Sequence, residues 1–135
     1  MKVFRNYLIT LCFTVLQVTN RNSLTPELLY VGDGSYWRWL PKTKHHKNPD
    51  FILPGSDTDH PKRGVSKVVE VFGDFWHSEV ITGLNPIDHV LELVEAFQDI
   101  GMECLVVWES EVNKKPAEVR EKVLAFLSAG VSTSP

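Results

Sequence analysis

The segment Lys67-Val68-Val69-Glu70-Val71-Phe72 limits the fold more than any other stretch of this chain. Its β-branched and aromatic residues run on without the alternation of a half-exposed strand, so the strand, read from Val65 to Phe72, must be covered on both faces. Glu103 to Trp108 has the same character and predicts a second buried strand. Between the two, Asn85-Pro86 can cap and start a helix, and Ile87, Leu91, Val94 and Phe97 or Gln98 recur at three- and four-residue spacing until Gly101 closes it. Pro116 to Leu127 predicts a final amphipathic helix with Val119, Val123, Phe126 and Leu127 inward. Strands alternating with helices in this order give an α/β fold with a mixed sheet flanked by helices.

Upstream, Glu27 to Val31 is short and β-capable, and Gly32-Asp33-Gly34 supplies a turn before Ser35 to Leu40. The two stretches read as a hairpin. Pro41 stops the second strand, and a basic segment leads to Asn48-Pro49-Asp50-Phe51-Ile52-Leu53, a short strand opened by a proline that cannot donate to a ladder. Asp50 therefore stands near the start of a strand. Pro54 to Lys62 is a loop by composition.

With 135 residues, the chain fits one domain, expected over 25–129 and followed by a flexible tail at 130–135. Its net charge of -3 argues against a protein that simply coats nucleic acid. The positive charge is nevertheless gathered, in Lys42, Lys44, His45, His46 and Lys47 and again in Lys62, Arg63 and Lys67. Each group reads either as a solvated loop or as a phosphate-facing surface. Cys12 and Cys104 have no zinc-ligand spacing, and Cys104 sits in an apolar run as a small buried hydrophobe. Residues 1–24 are atypical. Lys2 and Arg5 precede an apolar run from Leu8 to Val18, too short to span a bilayer and without a small-x-small cleavage site after it. A secretory signal, a buried first element and sequence alien to the domain all remain open there.

The chemistry-bearing set is Asp50, Glu70, Asp74 and His77: two carboxylates on adjacent expected strands, with the histidine just beyond the second. Asp50 and Glu70 could supply the hard oxygen ligands that magnesium takes, and a nearby histidine can accept a proton near neutral pH. Each residue also has a plain structural reading. Asp50 could cap a turn, Glu70 could pair with Lys67 or Lys62, and His77 could be a satisfied neighbour of the core. A carboxylate inside an apolar strand is costly without a reason, and that tips the reading towards a site.

Three runs taken together carry a resemblance: Asn48-Pro49-Asp50-Phe51-Ile52, then Val69-Glu70-Val71-Phe72-Gly73-Asp74-Phe75-Trp76-His77, then Gly101 through Trp108-Glu109. In order and spacing they resemble the very-short-patch repair endonucleases. Tyr30-Val31-Gly32-Asp33-Gly34 ahead of the first run, with Glu-Val-Phe-Gly-Asp ahead of Trp76-His77, is more similar to the homing-endonuclease branch of that fold. The resemblance implies a restriction-endonuclease-like core, with Asp50 as the principal metal-binding carboxylate, Glu70 beside it and His77 as general base. It further implies magnesium, with manganese as a substitute, as cofactor and double-stranded DNA as partner. Phe75 and Trp76 match an aromatic pair that wedges between base pairs in the repair branch, with core packing as the alternative. Asp88 lies near the family's histidine-orienting carboxylate, and Lys42, Lys44, Lys47, Lys62 and Arg63 become candidates for phosphate contacts.

The chain also departs from the pattern. Asp74 and Ser110 stand where the repair branch has zinc-binding cysteines, so zinc is not expected, and Glu27 directly enters the expected hairpin instead of lying on an upstream helix. Three functions are thus open: a magnesium-dependent DNA endonuclease, a DNA-binding module of the same fold without catalysis, and a secreted or structural domain. The first two imply a cytoplasmic or nucleoid-associated protein without a membrane partner.

Overall fold

The structure, a computed structural model, describes residues 28–74 and 79–129. The expectations for 1–24, for Phe75, Trp76 and His77, and for the tail at 130–135 lie outside the described residues. The chain is mixed α/β. Strands β1 (Leu29–Tyr30), β4 (Phe51–Ile52), β5 (Lys67–Phe72) and β6 (Glu103–Trp108) form one sheet in the order β1-β4-β5-β6. The first two pairings are antiparallel and β5–β6 is parallel, so the sheet is mixed. Strands β2 (Arg38–Leu40) and β3 (His45–Lys47) make a separate antiparallel ribbon. The helices are α1 (Glu79–Thr82), α2 (Pro86–Gln98), α3 (Glu109–Lys114) and α4 (Pro116–Ser128).

The hairpin expected across Gly32-Asp33-Gly34 does not form. The turn is there, with Gly34 N–H on Val31 O at 3.2 Å, but it separates two sheets. β1 pairs with β4, and β2 pairs with His45 to Lys47, in the basic segment expected to be loop. Pro41 ends β2 as anticipated, and the chain then reverses through a turn closed by Lys44 N–H on Leu40 O at 2.8 Å, with Lys44 at φ 57°. Lysine and histidine carry little strand propensity, so this strand had no local signal.

Strand β5 is buried along its whole length, as its composition requires. Phe51, Val69, Val71 and Val107 face one core with Val112, Val119, Val123 and Leu127 of α3 and α4. Ile52, Val68, Phe72, Cys104 and Val106 face the other with Ala96 and Phe97 of α2 and Leu40 of β2. Helix α2 starts and ends as expected: the Asn85 side chain accepts from Asp88 N–H, Pro86 opens the helix, and Gly101 lies at φ 80° just after it. Its inward face differs, because Ile87 is 72% exposed and Leu91 48%. The ladders 87-91-94 and 90-94-97 share Val94, and the chain buries the second, with Val90, Leu93, Val94 and Phe97 in the core. Among the described residues no helix is long and apolar enough to cross a membrane.

Candidate functional site

Asp50 is placed by the exit of the ribbon. The Asn48 amide donates to Val31 O and Tyr36 O, both at 2.7 Å, and Val31 N–H donates to Asp50 O at 2.9 Å. The backbone is thereby aligned with β1 before β4 begins. Asp50 Oδ2 accepts from Val71 N–H at 2.7 Å, which fixes the carboxylate against the C-terminal end of β5. Phe51 pairs with Val69 and Ile52 with Val68; one residue further along the same register, Asp50 stands opposite Glu70. Opposed residues of an antiparallel pair share a face, so two carboxyls meet on the α2 side of the sheet.

Glu70 is 3% exposed. Its Oε2 lies 3.5 Å from Lys47 Nζ, and its Oε1 is buried with no hydrogen-bond partner among the described residues. Loss of water pushes its carboxyl up to about 8, Lys47 pulls it down by less, and the Asp50 charge pushes it up again. Lys47 is held above its ordinary value, chiefly by Glu70, then by Asp50, with burial opposing. The attraction that raises Lys47 requires an ionised Glu70, whereas Glu70 favours its neutral form. Burial decides between them: a 3.5 Å contact does not replace the hydration lost by a carboxyl with an unpartnered oxygen. Glu70 therefore holds its proton to higher pH than an ordinary glutamate, beside the Lys47 ammonium.

The partners expected for Glu70 are elsewhere. Lys67 points to the opposite face, where its Nζ donates to Phe126 O at 2.6 Å and to Leu127 O and Ala129 O, and lies 3.4 Å from Glu103. It is buried and does not belong to a basic surface. Lys62 donates to Ser35 O at 3.1 Å. Lys42 pairs with Glu95 at 3.6 Å, Lys44 and Arg63 are exposed on turns, and Lys47 is turned inward.

Asp88 does not join the carboxyl pair. Its Oδ2 accepts from Asn85 Nδ2 at 2.7 Å, and it lines a cleft of about 660 Å³ with Lys42, His45, Leu91, Glu92 and Glu95. Its neighbour His89 is the residue that sequence reasoning passed over. The imidazole stacks on Phe72 with centroids 5.1 Å apart, and with Lys47 and His45 it lines a cavity of about 250 Å³ between the ribbon and α2. Burial holds it below the usual histidine range. The signal was present in the helical spacing, since His89 is one residue from Val90 and four from Leu93 on the packed side.

Asp74 N–H donates to Glu109 Oε1 at 2.9 Å, and Ser110 Oγ donates to Asp74 Oδ1 at 3.4 Å. The positions at which the resemblance would place two thiolates are thus neighbours in space, occupied by a carboxylate and a hydroxyl.

No family model, curated protein or solved structure matches the chain.

Two adjacent carboxyls are the usual protein share of a magnesium site, water and substrate phosphate filling the other positions. The fit has one strong point, the buried Glu70 Oε1 that lacks a partner among the described residues. It has one competitor, Lys47, which already brings a positive charge to the pair. Among the described residues no three His, Cys, Asp or Glu converge in a metal-binding group. Nor is the pair an open pocket: Asp50 is half-buried and Glu70 enclosed.

Proposed function

We propose that this chain is a magnesium-dependent DNA endonuclease domain of restriction-endonuclease-like fold, similar to the homing-endonuclease branch of the very-short-patch family. The observation that carries the reading is the Asp50–Glu70 pair, two carboxyls on one sheet face with Glu70 Oε1 left without a partner among the described residues. The contact between Asp74 and Ser110 supports the same alignment. Asp50 and Glu70 would hold the ion, which when bound polarises a phosphodiester and offsets its developing charge. Val71 N–H keeps the Asp50 carboxylate oriented at 2.7 Å. Glu70 gives up its proton for that role, with Lys47 kept beside the pair as a fixed positive charge. His77 is the proposed general base, and double-stranded DNA the substrate.

The second reading, a DNA-binding module without catalysis, is favoured by one observation: Lys47 already balances the buried pair. Supercoiled plasmid separates the two. With magnesium or manganese the wild type nicks or cuts it, and Asp50→Asn abolishes this while leaving folding intact, because the asparagine oxygen still accepts from Val71. His77→Ala lowers the rate by roughly a hundredfold to ten-thousandfold. A wild type that binds DNA but is inert with both metals establishes the non-catalytic module. Equal nicking by wild type and Asp50→Asn removes Asp50 as a ligand.

A further inference from the structure

Trp37 and Trp39 are 56% and 47% exposed, on the only ribbon found among the described residues. Both rings are held in place: Trp37 Nε1–H donates to Gly34 O at 2.8 Å, and Trp39 lies 4.9 Å, centroid to centroid, from the ring of its cross-strand partner His46. Leu40 and Lys47 point inward, so alternation sets Trp37, Trp39 and His46 on the outer face. From Ser35 to Pro49 the chain has no Asp or Glu; of its cations, Arg38 and Lys47 fall on the inner face, Lys42 pairs with Glu95, and Lys44 is left exposed at the turn. Lys62 reaches Ser35 at one end of the aromatic face, and exposed Lys44 marks the turn at the other.

We infer that the outer face of the β2–β3 ribbon is a stacking platform for unpaired bases of a DNA strand, with Lys44 and Lys62 contacting its phosphates. Exposed, fixed indoles between cations fit a polyanion with π-faces better than they fit an apolar protein partner, which would not require the flanking lysines. Residues i and i+2 of a strand are about 6.8 Å apart, roughly twice the spacing of stacked bases, so the two indoles can serve alternate positions of one strand. The inference rests on the nucleic-acid reading above and is independent of catalysis.

The test measures binding of the full chain, in EDTA, to a labelled oligothymidylate of about 20 nucleotides, to an abasic strand with the same number of phosphates, and to a duplex. The wild type is expected to favour oligothymidylate over the abasic strand by about tenfold or more. Trp37→Ala and Trp39→Ala should each lose about tenfold on oligothymidylate and nothing on the abasic strand. Trp39→Phe restores most of the loss, and Lys44→Gln lowers the salt dependence by about one phosphate contact. Equal affinity of the wild type for the thymidylate and abasic strands overturns the platform, even if the alanine variants fail to fold. So does a preference for duplex that neither tryptophan affects. Because EDTA removes catalysis, a chain inert as a nuclease can still pass this test, and an active nuclease can fail it.

Discussion

Lys47 and Lys67 are drawn to opposite faces of one sheet, and each serves a buried acceptor rather than a surface. Lys67 meets the last carbonyls of α4, and Lys47 meets Glu70. The sequence marked Glu70 as an anomaly inside an apolar strand but gave the wrong partner, because Lys47 belongs to a strand with no propensity signal. The retained proton on Glu70 has a measurable consequence. Its folded pKa of about 8 lies above the ordinary 4.5, so the folded state holds more protons than the unfolded state between those values. The wild type therefore loses stability as pH rises from about 4.5 to about 8, and the loss is complete above that. Lys47, raised from 10.5, contributes no slope in this window. Glu70→Gln mimics the protonated carboxyl and lacks the slope. Denaturant titrations at several pH values should show the variant gaining on the wild type by about 1.4 kcal/mol for each pH unit at most across the window. A difference that stays flat with pH means that Glu70 is ionised, in a plain ion pair with Lys47.

Whole elements were legible where packing and propensity agreed. β5, β6, α2 and α4 follow from apolar runs and from caps such as Asn85-Pro86. Strand partners were not legible, because a turn such as Gly32-Asp33-Gly34 reverses the chain without stating which neighbour the next strand will take. Helix α4 shows a further device invisible to periodicity: its C-terminal carbonyls are met by Lys67, some 60 residues earlier in the chain. Lys67→Met keeps much of the apolar stem but leaves those acceptors and Glu103 without their cation. Loss of about 1–3 kcal/mol in chemical denaturation is expected, with DNA affinity unchanged because the ammonium faces the interior. A variant of wild-type stability would show that water serves those carbonyls equally well.

At the scale of the molecule, the two-sided burial of β5 sets the layers: α3 and α4 cover one face, α2 and the ribbon the other. A polar group of β5 can therefore occur only beneath a cover, and Glu70 lies beneath the ribbon that also delivers Asp50. The class, the mixed sheet and the proximity of Asp50 to Glu70 could be read from the sequence. The enclosure of that pair by Lys47 could not, since it depends on a long-range pairing of the basic segment. The proposal that Asp50 and Glu70 together hold a divalent ion is tested most directly by manganese binding, followed through the electron paramagnetic resonance signal of the free ion without DNA. The wild-type chain is expected to deplete that signal with one ion per molecule, more tightly as pH rises towards 8 and Glu70 releases its proton, and Asp50→Asn and Glu70→Gln should each abolish the depletion while remaining folded. Undiminished binding in both variants, or none in the wild type at any pH where it is folded, would contradict it.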